Sequence, residues 1–240
     1  MKIALIGYGK MGQIIERIAL ERGHTITGIS TTSKPIEEVD FQNVDVAIEF
    51  TTPDFAVQHI EYCVDQGTPV VVGTTAWNDD LDAVKEYVTR HQGSLLYASN
   101  FSVGVNIFFD LNRRLAKLME HQPSYTPSIE ETHHLQKLDA PSGTAISLAN
   151  DMLFESDRFS SWVHHENKAY SAPEGQIALT SYRREGVPGT HKITYTSAID
   201  TIEMTHTAHN REGFALGAVL AAEWIVGKRG IYTMQDVIKL

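Results

Sequence analysis

The chain has 240 residues, of which 42% are hydrophobic and 21% are charged, so it is long enough for one large domain or two modest domains with real cores. Its formal net charge of −10 argues against nucleic acid and against an anionic membrane surface as partners. A single cysteine, Cys63, excludes a disulfide framework and fits a reducing, cytoplasmic compartment, and no stretch approaches the ~20 apolar residues of a membrane span.

The first predicted element is a buried strand that runs directly into a glycine-rich turn. Residues 2–6 are mostly apolar, glycines interrupt the run too early for a signal peptide, and residues 13–21 carry apolar side chains at helical spacing. In the pattern Gly-x-Gly-x-x-Gly the first glycine allows a tight turn, the second lets the backbone approach a pyrophosphate, and the third lets strand and helix pack closely. The pattern predicts a dinucleotide site with phosphates at the helix N-terminus, and the alternative is a glycine-rich turn of another α/β protein. The residues of the turn are Gly7, Tyr8, Gly9, Lys10, Met11 and Gly12.

The second predicted strand, residues 24–30, bears on the choice of cofactor. A site specific for NAD usually has Asp or Glu at the end of this strand, where the carboxylate binds the ribose hydroxyls. Here the strand ends in the hydroxyl side chains of Ser30 and Thr31, and Lys34 follows. Hydroxyls and a cation suit a 2′-phosphate, so the sequence favours NADPH. The alternative is that Lys34 is a solvated loop lysine.

Three further strands, at residues 45–50, 69–73 and 94–97, alternate with helices predicted at residues 55–66 and 81–91. Strand–helix alternation of this kind predicts an α/β fold, a Rossmann-type doubly wound parallel sheet. The C-terminal ends of the strands form the edge at which such sheets bind their ligands. Glycine, threonine, serine and asparagine occupy these ends, and by themselves they indicate only polar strand termini.

The second half of the chain has a different pattern. A long helix is predicted at residues 103–120, and residues 176–183, 191–197 and 200–206 read as strands by their alternation and β-branched content. We therefore expect a smaller α+β domain with an open mixed or antiparallel sheet. Such a sheet often buries its exposed face or edge by oligomerising.

The chain is expected to return to the first domain at its end. The apolar helix predicted at residues 214–226 would complete a dinucleotide-binding domain made of residues 1–102 and 212–240. Residues 103–211 would then form the substrate-binding and oligomerisation domain. The two crossings between the domains would act as a hinge, and closure would expel water before hydride transfer.

The stretch 130–145 gathers many proton-carrying and anion-binding groups. It reads EETHHLQKLDAPSGTA, with two histidines and a lysine ahead of a Pro-Ser-Gly-Thr turn. Histidine exchanges protons near neutral pH, and lysine adds a fixed positive charge. A serine or threonine of the turn would cap a helix whose first N–H groups bind a carboxylate. The residues concerned are His133, His134, Lys137, Ser142, Gly143 and Thr144.

Simpler interpretations of this stretch remain open. Adjacent histidines are commonly structural, and a Ser-Gly-Thr turn is commonly only a helix cap. A zinc site has no support, because the chain contains neither a cysteine pair nor the spacing His-Glu-x-x-His. No metal is therefore predicted.

The run HHLQKLDAPSGTA resembles the motif of the dihydrodipicolinate reductase family, His-His-x-x-Lys-x-Asp-Ala-Pro-Ser-Gly-Thr-Ala, and matches it at every fixed position. The resemblance implies reduction of a cyclic unsaturated dicarboxylate by NADPH or NADH, on the pathway to diaminopimelate and lysine, in a homotetramer built through the second sheet. It implies that His133 is the general acid and that Lys137 binds the substrate and assists proton transfer. It implies that His134, Ser142, Gly143 and Thr144 bind the substrate and that Arg211 lies near the hinge and the substrate.

Weaker similarity to this family covers nearly the whole chain. The segments Phe-Thr-x-Pro, Gly-Thr-Thr and Asn-Phe-Ser-Val-Gly-Val-Asn resemble family loops that border the nicotinamide. The chain departs from the family in a shorter glycine-rich loop, in the missing acid after the second strand and in total length. Two alternatives stay open: a different two-domain NAD(P)-dependent reductase and a non-catalytic NAD(P)H-binding sensor. The resemblance implies cofactor contacts for Phe50, Thr51, Gly73, Thr74, Thr75, Ser99, Asn100 and Phe101.

Overall fold

The computed structural model describes residues 1–238, apart from the side chain of Asn78, and divides into two compact units. The first unit comprises Met1–Asn106 together with the chain from Glu212 onward. The second unit comprises Ile107–Arg211. The dinucleotide site of the first unit and the substrate site of the second unit stay predictions.

The first unit is built on a six-stranded sheet with helices on both faces. Its strands are β1 (Lys2–Ile6), β2 (Thr25–Ser30), β3 (Val46–Glu49), β4 (Val70–Val72), β5 (Ser94–Tyr97) and β11 (Gly230–Tyr232). Its helices are α1 (Lys10–Glu21), α2 (Pro53–Asp65), α3 (Leu81–Arg90), α6 (Glu212–Ile225) and α7 (Met234–Ile238). The strand order is β11-β5-β4-β3-β1-β2, and every pair is parallel. This arrangement confirms the predicted doubly wound parallel sheet.

Both faces of the sheet are buried, as the continuous apolar runs of its strands require. Side chains such as Leu5 pack with α1 and α6 on one face, and side chains such as Ile6 pack with α2 and α3 on the other. Cys63 of α2 is fully buried in the second of these cores, and burial raises the pKa of its thiol. A thiol held in its protonated form in an apolar core is structural rather than nucleophilic.

The second unit is a five-stranded sheet against which two helices pack. Its elements are α4 (Val103–Met119, which begins in the first unit), β6 (Thr126–His133), α5 (Gly143–Phe154), β7 (Ser161–Glu166), β8 (Gln176–Arg183), β9 (Gly189–Thr196) and β10 (Thr201–Ala208). The strand order is β10-β9-β6-β8-β7. Pairs β10–β9 and β9–β6 are antiparallel, whereas β6–β8 and β8–β7 are parallel. The expected mixed sheet is therefore present.

Three differences between the structure and the sequence-based elements are the largest. Helix α1 begins at Lys10 rather than at residue 13, because Gly9 takes the N-cap position directly after the turn. Strands β7 and β11 were not predicted: β7 contains two histidines and no clear alternation of burial, and β11 has only three residues. Short or evenly polar strands depend on their neighbours for stability, so their own sequence predicts them poorly.

Helix α6 lies so close to the loop after β5 that one of its residues must be glycine. A Cβ atom at Gly217 would lie 1.7 Å from the carbonyl oxygen of Phe101, which is backbone and cannot rotate away. We expect Gly217→Ala to lower the free energy of unfolding by about 1–3 kcal/mol, the usual cost of overpacking. Urea denaturation followed by tryptophan fluorescence would measure this change. Gly213→Ala, in the same helix, is the matched control, because its nearest atom would be 3.6 Å away. Equal stability of the two variants would contradict the prediction.

Candidate active site

The carboxyl edge of the first sheet opens into a cavity of about 620 Å³. The cavity lies beyond the ends of β1, β2 and β3, where the strand order reverses direction, which is the general ligand site of open α/β sheets. The lining residues that the sequence assigned to the cofactor are Gly7, Tyr8, Gly9, Ser30, Thr31, Phe50 and Thr51.

The glycine-rich turn has the geometry that a bound pyrophosphate needs. A Cβ atom at Gly7 would lie 2.1 Å from the carbonyl oxygen of Phe50, and one at Gly12 would lie 2.3 Å from the carbonyl oxygen of Gly7. At Gly9, by contrast, no atom lies within 4 Å of a Cβ position, and no side chain caps the start of α1. The first amide groups of α1, which include those of Lys10 and Met11, therefore follow a glycine that leaves room for a ligand. This cradle fits the pyrophosphate of a dinucleotide cofactor.

The remaining predicted cofactor residues shape the edge of β4 and β5. The ring of Phe50 lies over Gly73, where a Cβ atom would come within 2.1 Å of it. The amide of Thr51 donates to the hydroxyl of Thr74 at 2.7 Å. Thr75 and Ser99 line a small cavity beside Trp77 and Tyr97. Contacts among these residues thus stabilise the carboxyl edge of β4 and β5.

Two residues of the following loop have structural partners. The side-chain oxygen of Asn100 accepts from the amide of Ser102 at 2.9 Å, and the carbonyl of Asn100 accepts from Asn106. Phe101 is buried in the core against α6. The structure therefore shows Phe101 as a core residue, and its predicted contact with the cofactor stays untested.

Lys34, which the sequence offered as a partner of a 2′-phosphate, is exposed and is not among the residues that line the cavity. An acid that sequence reasoning missed does line it: Glu37, in the short turn after β2. Phe55 and His59 of α2 also line the cavity, with their rings stacked at 6.0 Å. The end of β2 is therefore less favourable to a 2′-phosphate than its sequence alone indicates.

In the second unit, the buried face of β6 changes from apolar to ionisable along the strand. Ile129, Glu131 and His133 point to the same side and are all buried. Ile129 packs into the core beneath α5, whereas Glu131 accepts a hydrogen bond from Ser142 at the start of that helix and His133 lies beside Glu131. The strand alternation thus brings a carboxylate to the N-terminus of α5 and an imidazole next to that carboxylate.

Glu131 is the centre of a cluster that also contains His133, Ser142, Ser181 and His191, called the Glu131 cluster below. Its Oε1 accepts from the amide of Ser142 at 3.0 Å and from the hydroxyl of Ser181 at 2.6 Å. Its Oε2 lies 3.2 Å from Nδ1 of His133 and 3.8 Å from Nε2 of His191. Burial raises the pKa of this carboxyl, but the bonds from His133, Ser142 and Ser181 outweigh burial and hold the pKa well below its usual range. Glu131 is therefore a carboxylate at neutral pH.

His191 completes the cluster as a neutral ring. Burial, and next the neighbouring His133, lower the pKa of His191 to about 3. Its Nε2 lies 3.2 Å from the hydroxyl of Ser142, and its ring meets that of His133 edge to face at 5.1 Å. A neutral imidazole in this position packs against the acid candidate without adding a second positive charge.

Lys137 and Asp139 form the loop between β6 and α5. The ammonium group of Lys137 donates to both oxygens of Asp139, at 2.8 and 2.9 Å. Burial raises the pKa of Asp139, but the bond from Lys137 outweighs it, and the net shift is downward. Arg183 of β8 fastens this loop, since its guanidinium donates to the carbonyls of Lys137 at 3.4 Å and Asp139 at 2.6 Å. Lys137 is thus tethered beside the cluster.

The predicted carboxylate cradle begins at Ser142. This serine is the N-cap of α5, and its hydroxyl accepts from the amide of Ala145 at 3.2 Å. Gly143 is exposed and Thr144 half-buried in the first turn of the helix. His134 follows β6 directly, and its Nδ1 is buried without a hydrogen-bond partner among the described residues.

Arg211 is exposed and is the last residue of the second unit. The structure therefore brings His133 to a defined cluster and fastens Lys137 and Ser142 next to it. The roles of Gly143, Thr144, His134 and Arg211 stay predictions.

Ligand atoms of Glu131, His133 and His191 lie within 4.8 Å of one another, a donor set that zinc accepts. Two features of the site oppose a cation. A guanidinium nitrogen of Arg183 lies 3.6 Å from Glu131, and Oε1 of Glu131 already accepts two hydrogen bonds. The absence of a metal stays a prediction.

Sequence reasoning missed Glu131, His191 and Arg183. Glu131 precedes the two histidines by only two residues, and its place on the buried side of an alternating strand was the one available signal. His191 and Arg183 belong to β9 and β8, where His191 pairs with Glu131 and Arg183 pairs with His133. Their contribution depends on strand register, which the sequence does not reveal.

The parallel sheet, the glycine cradle and a separate unit that carries an acid and a cation define an oxidoreductase that uses a nicotinamide dinucleotide. Comparisons with known proteins agree. Residues 1–101 match the family model for the N-terminus of dihydrodipicolinate reductase, and residues 104–238 match the model for its C-terminus. The chain belongs to the dihydrodipicolinate reductase family.

Relatives match the chain over its whole length. A 4-hydroxy-tetrahydrodipicolinate reductase of Christiangramia forsetii is 48% identical over 240 residues, covering 99% of this chain and 98% of the relative. A protein of the same name from Neisseria meningitidis is 30% identical, covering 100% and 98%. A solved dihydrodipicolinate reductase from Paenisporosarcina, with dipicolinate bound, has a TM-score of 0.75 at 21% identity and covers 98% of both chains. The last likeness concerns the fold alone.

Glu37 gives a direct test of cofactor choice. A carboxylate that lines the cavity beyond β2 repels a 2′-phosphate, so we expect Glu37→Gln to favour NADPH. The ratio of kcat/KM for NADPH to that for NADH should rise by about three- to tenfold, equivalent to roughly 1 kcal/mol of repulsion near the surface. Glu38→Gln is the control, because Glu38 belongs to the same turn but is not among the lining residues. An unchanged ratio in both variants would remove Glu37 from cofactor recognition.

Proposed function

We propose that this protein reduces 4-hydroxy-tetrahydrodipicolinate, a small cyclic dicarboxylate, to tetrahydrodipicolinate with NADPH or NADH, as a step towards diaminopimelate and lysine. The observation that carries the proposal is the stretch 130–145 as folded. It places His133 on a buried carboxylate, tethers Lys137 beside it and ends at the N-terminus of α5. Whole-length membership of the dihydrodipicolinate reductase family supports the same reaction.

The proton is assigned to His133. The reduced nicotinamide, when bound, supplies the hydride with its electron pair, and the reaction also takes up one proton, because the 4-hydroxyl group of the substrate leaves as water. A histidine ring beside a buried carboxylate is suited to the role of general acid. Lys137 is assigned to hydrogen bonding with the substrate and to assisting the transfer.

The substrate carboxylate is assigned to the start of α5. The positive end of the helix dipole and the amides of its first turn attract an anion. Gly143 supports this assignment, because no atom lies within 4 Å of a Cβ position there and the backbone is open to a close approach. Ser142, Thr144, His134 and Arg211 complete the proposed substrate contacts.

The experiment that tests the function follows the absorbance of reduced nicotinamide at 340 nm. The purified protein is mixed with NADPH or NADH while the preceding synthase makes the substrate from pyruvate and aspartate semialdehyde. Oxidation that depends on the synthase is expected with at least one cofactor. A protein that binds the cofactor but oxidises none of it would instead be a sensor, and oxidation with a different dicarboxylate would indicate another reductase.

The proton-donating and substrate-binding assignments predict a selective loss of turnover. We expect His133→Gln and Lys137→Ala each to lower kcat by about tenfold or more, because a well-placed acid contributes roughly 10²–10⁴ in rate. The dissociation constant of NADPH, measured by fluorescence quenching, should stay the same, since the glycine cradle lies on the first unit. Lys192→Ala is a control: this lysine pairs with Glu130 and Glu203 on the same sheet and has no assigned role. Normal turnover in both test variants would refute the assignments.

A homotetramer built through the second sheet is proposed from the family resemblance and from exposed apolar residues on that sheet. Ile199, in the turn between β9 and β10, is 90% exposed, and Ile202 of β10 is 39% exposed. Light scattering coupled to gel filtration should give about four times the 26.7 kDa of one chain. Ile202→Lys should lower this mass, because it places a charge on the proposed contact. A monomeric wild-type protein would refute the tetramer.

The cytoplasm is proposed as the site of action, because the only cysteine is a buried free thiol and the reaction uses reduced nucleotides. None of the described helices has both the length and the apolar content that crossing a bilayer demands.

A further inference from the structure

We propose that Glu131 is a positioning residue of this reaction, which fixes the acid His133 with Nδ1 protonated towards the Glu131 carboxylate and Nε2 as the atom that gives the proton. The inference rests on the proposed function, in which His133 is the general acid. It adds a residue that touches neither substrate nor cofactor but determines what His133 can do.

The carboxylate of Glu131 is held in one orientation by its first oxygen. Oε1 accepts from the amide of Ser142 and the hydroxyl of Ser181 and lies 3.6 Å from the guanidinium of Arg183. These groups come from the start of α5 and from β8. The side chain of Glu131 has no exposure to solvent. Rotation of the carboxylate would break both bonds in a place where water cannot replace them, so the second oxygen stays aimed at His133.

The second oxygen of Glu131 and Nδ1 of His133 face each other without other partners. Both atoms are buried, and neither has a well-aligned hydrogen bond among the described residues. They lie 3.2 Å apart. Nε2 of His191 lies 3.8 Å from the same oxygen, which is too far for a hydrogen bond. His133 is therefore the donor that can satisfy this oxygen, and it must carry its proton on Nδ1.

The opposite end of the His133 ring, which carries Nε2, lies against Gly189. A Cβ atom at position 189 would lie 3.1 Å from Nε2 of His133, so glycine leaves the room that this nitrogen occupies. With Nδ1 committed to Glu131, Nε2 is the only ring atom of His133 that can release a proton. When it does so, the ring becomes neutral with its remaining proton on Nδ1, and Glu131 keeps its negative charge throughout.

Replacement of Glu131 by glutamine keeps the shape of the side chain but reverses the direction of its hydrogen bond with Nδ1 of His133. The amide oxygen can still accept from Ser142 and Ser181, which leaves the NH₂ group facing His133. Nδ1 must then be an acceptor, and neutral His133 carries its proton on Nε2. The imidazolium form would oppose two donors in a buried site, so the acid form of His133 is disfavoured.

Other charged groups around His133 set the background for a pH experiment. His191 of β9 faces the ring, Arg183 of β8 pairs with His133 across the sheet, and Lys137 and His206 lie near enough to act on His191. Glu131→Gln leaves these residues in place and removes only the carboxylate charge, which also raises the pKa of His191. Because loss of that charge leaves His191 neutral, a shift in the pH profile of this variant is attributable to the effect of the carboxylate on His133.

The experiment compares Glu131→Gln with Glu130→Gln and Glu131→Asp. Glu130 is the matched control, because it is one residue away on β6 and its side chain, about a third exposed, pairs with Lys192 at 3.4 Å. We expect Glu131→Gln to lower kcat about tenfold or more with the KM of NADPH unchanged, and Glu131→Asp to restore part of the loss. The alkaline limb of the kcat profile, where the acid loses its proton, should move down by about one pH unit or more, since an opposite charge has been removed.

Nitrogen-15 spectra of the histidine rings give a readout that needs no activity. The signals of His133 are identified by their loss in His133→Gln. We expect the neutral wild-type ring to be protonated on Nδ1, the Glu131→Gln ring on Nε2 and the Glu130→Gln ring as in the wild type. A wild-type ring protonated on Nε2, or Glu131→Gln with normal kcat and an unchanged pH profile, would overturn the inference. Absence of turnover in the wild type would refute the proposed function instead, while the spectra still decide the position of the proton.

Discussion

The second unit depends on one buried carboxylate. Burying a charge costs several kcal/mol unless hydrogen bonds compensate it, and Glu131 has no contact with solvent. The compensating groups come from three places in the chain: Ser142 at the start of α5, Ser181 on β8 and His133 on β6 itself. The same contacts that compensate the desolvation of the Glu131 carboxylate therefore fix the position of the helix start and of the proposed acid. The Glu131 carboxylate therefore contributes both to the packing of the second unit and to the proposed chemistry.

The first unit depends on close backbone approaches rather than on charge. Gly7, Gly12 and Gly73 each stand where a Cβ atom would come within 2.1 to 2.3 Å of a neighbour. These contacts bring the turn after β1 against the end of β3 and bring the ring of Phe50 over β4. The carboxyl edge is consequently dense, apart from the open space beside Gly9. A pyrophosphate site requires close backbone packing behind the turn and free space in front of it, where the ligand approaches.

Features that are local in the sequence were predictable, and features that depend on strand pairing were not. The glycine pattern after β1 and the run from His133 to Thr144 are each short and continuous in the chain, so residue order alone indicates their proximity. Ser181 and Glu131 are 50 residues apart and meet only because β6 and β8 pair in parallel register. Glu37 was missed for a related reason: a short turn carries it back to the cavity after the strand has ended. Register and loop path are tertiary properties, and hydrophobic periodicity does not encode them.

Each unit buries one glutamate completely, and the two serve parallel purposes. Glu49, at the end of β3, accepts from the hydroxyl of Thr51 and lies 3.5 Å from His59, and both partners line the cofactor cavity. Glu131 acts in the same way on Ser142 and His133. In both units an acceptor without water around it can be satisfied only by the donors built next to it, so those donor groups lose their freedom to move. Such rigidity suits a cofactor site and a proposed proton donor, because a displacement of about 1 Å between reacting groups is costly in rate. The desolvation of each carboxylate is thus the physical means by which the end of a strand becomes a fixed part of a site.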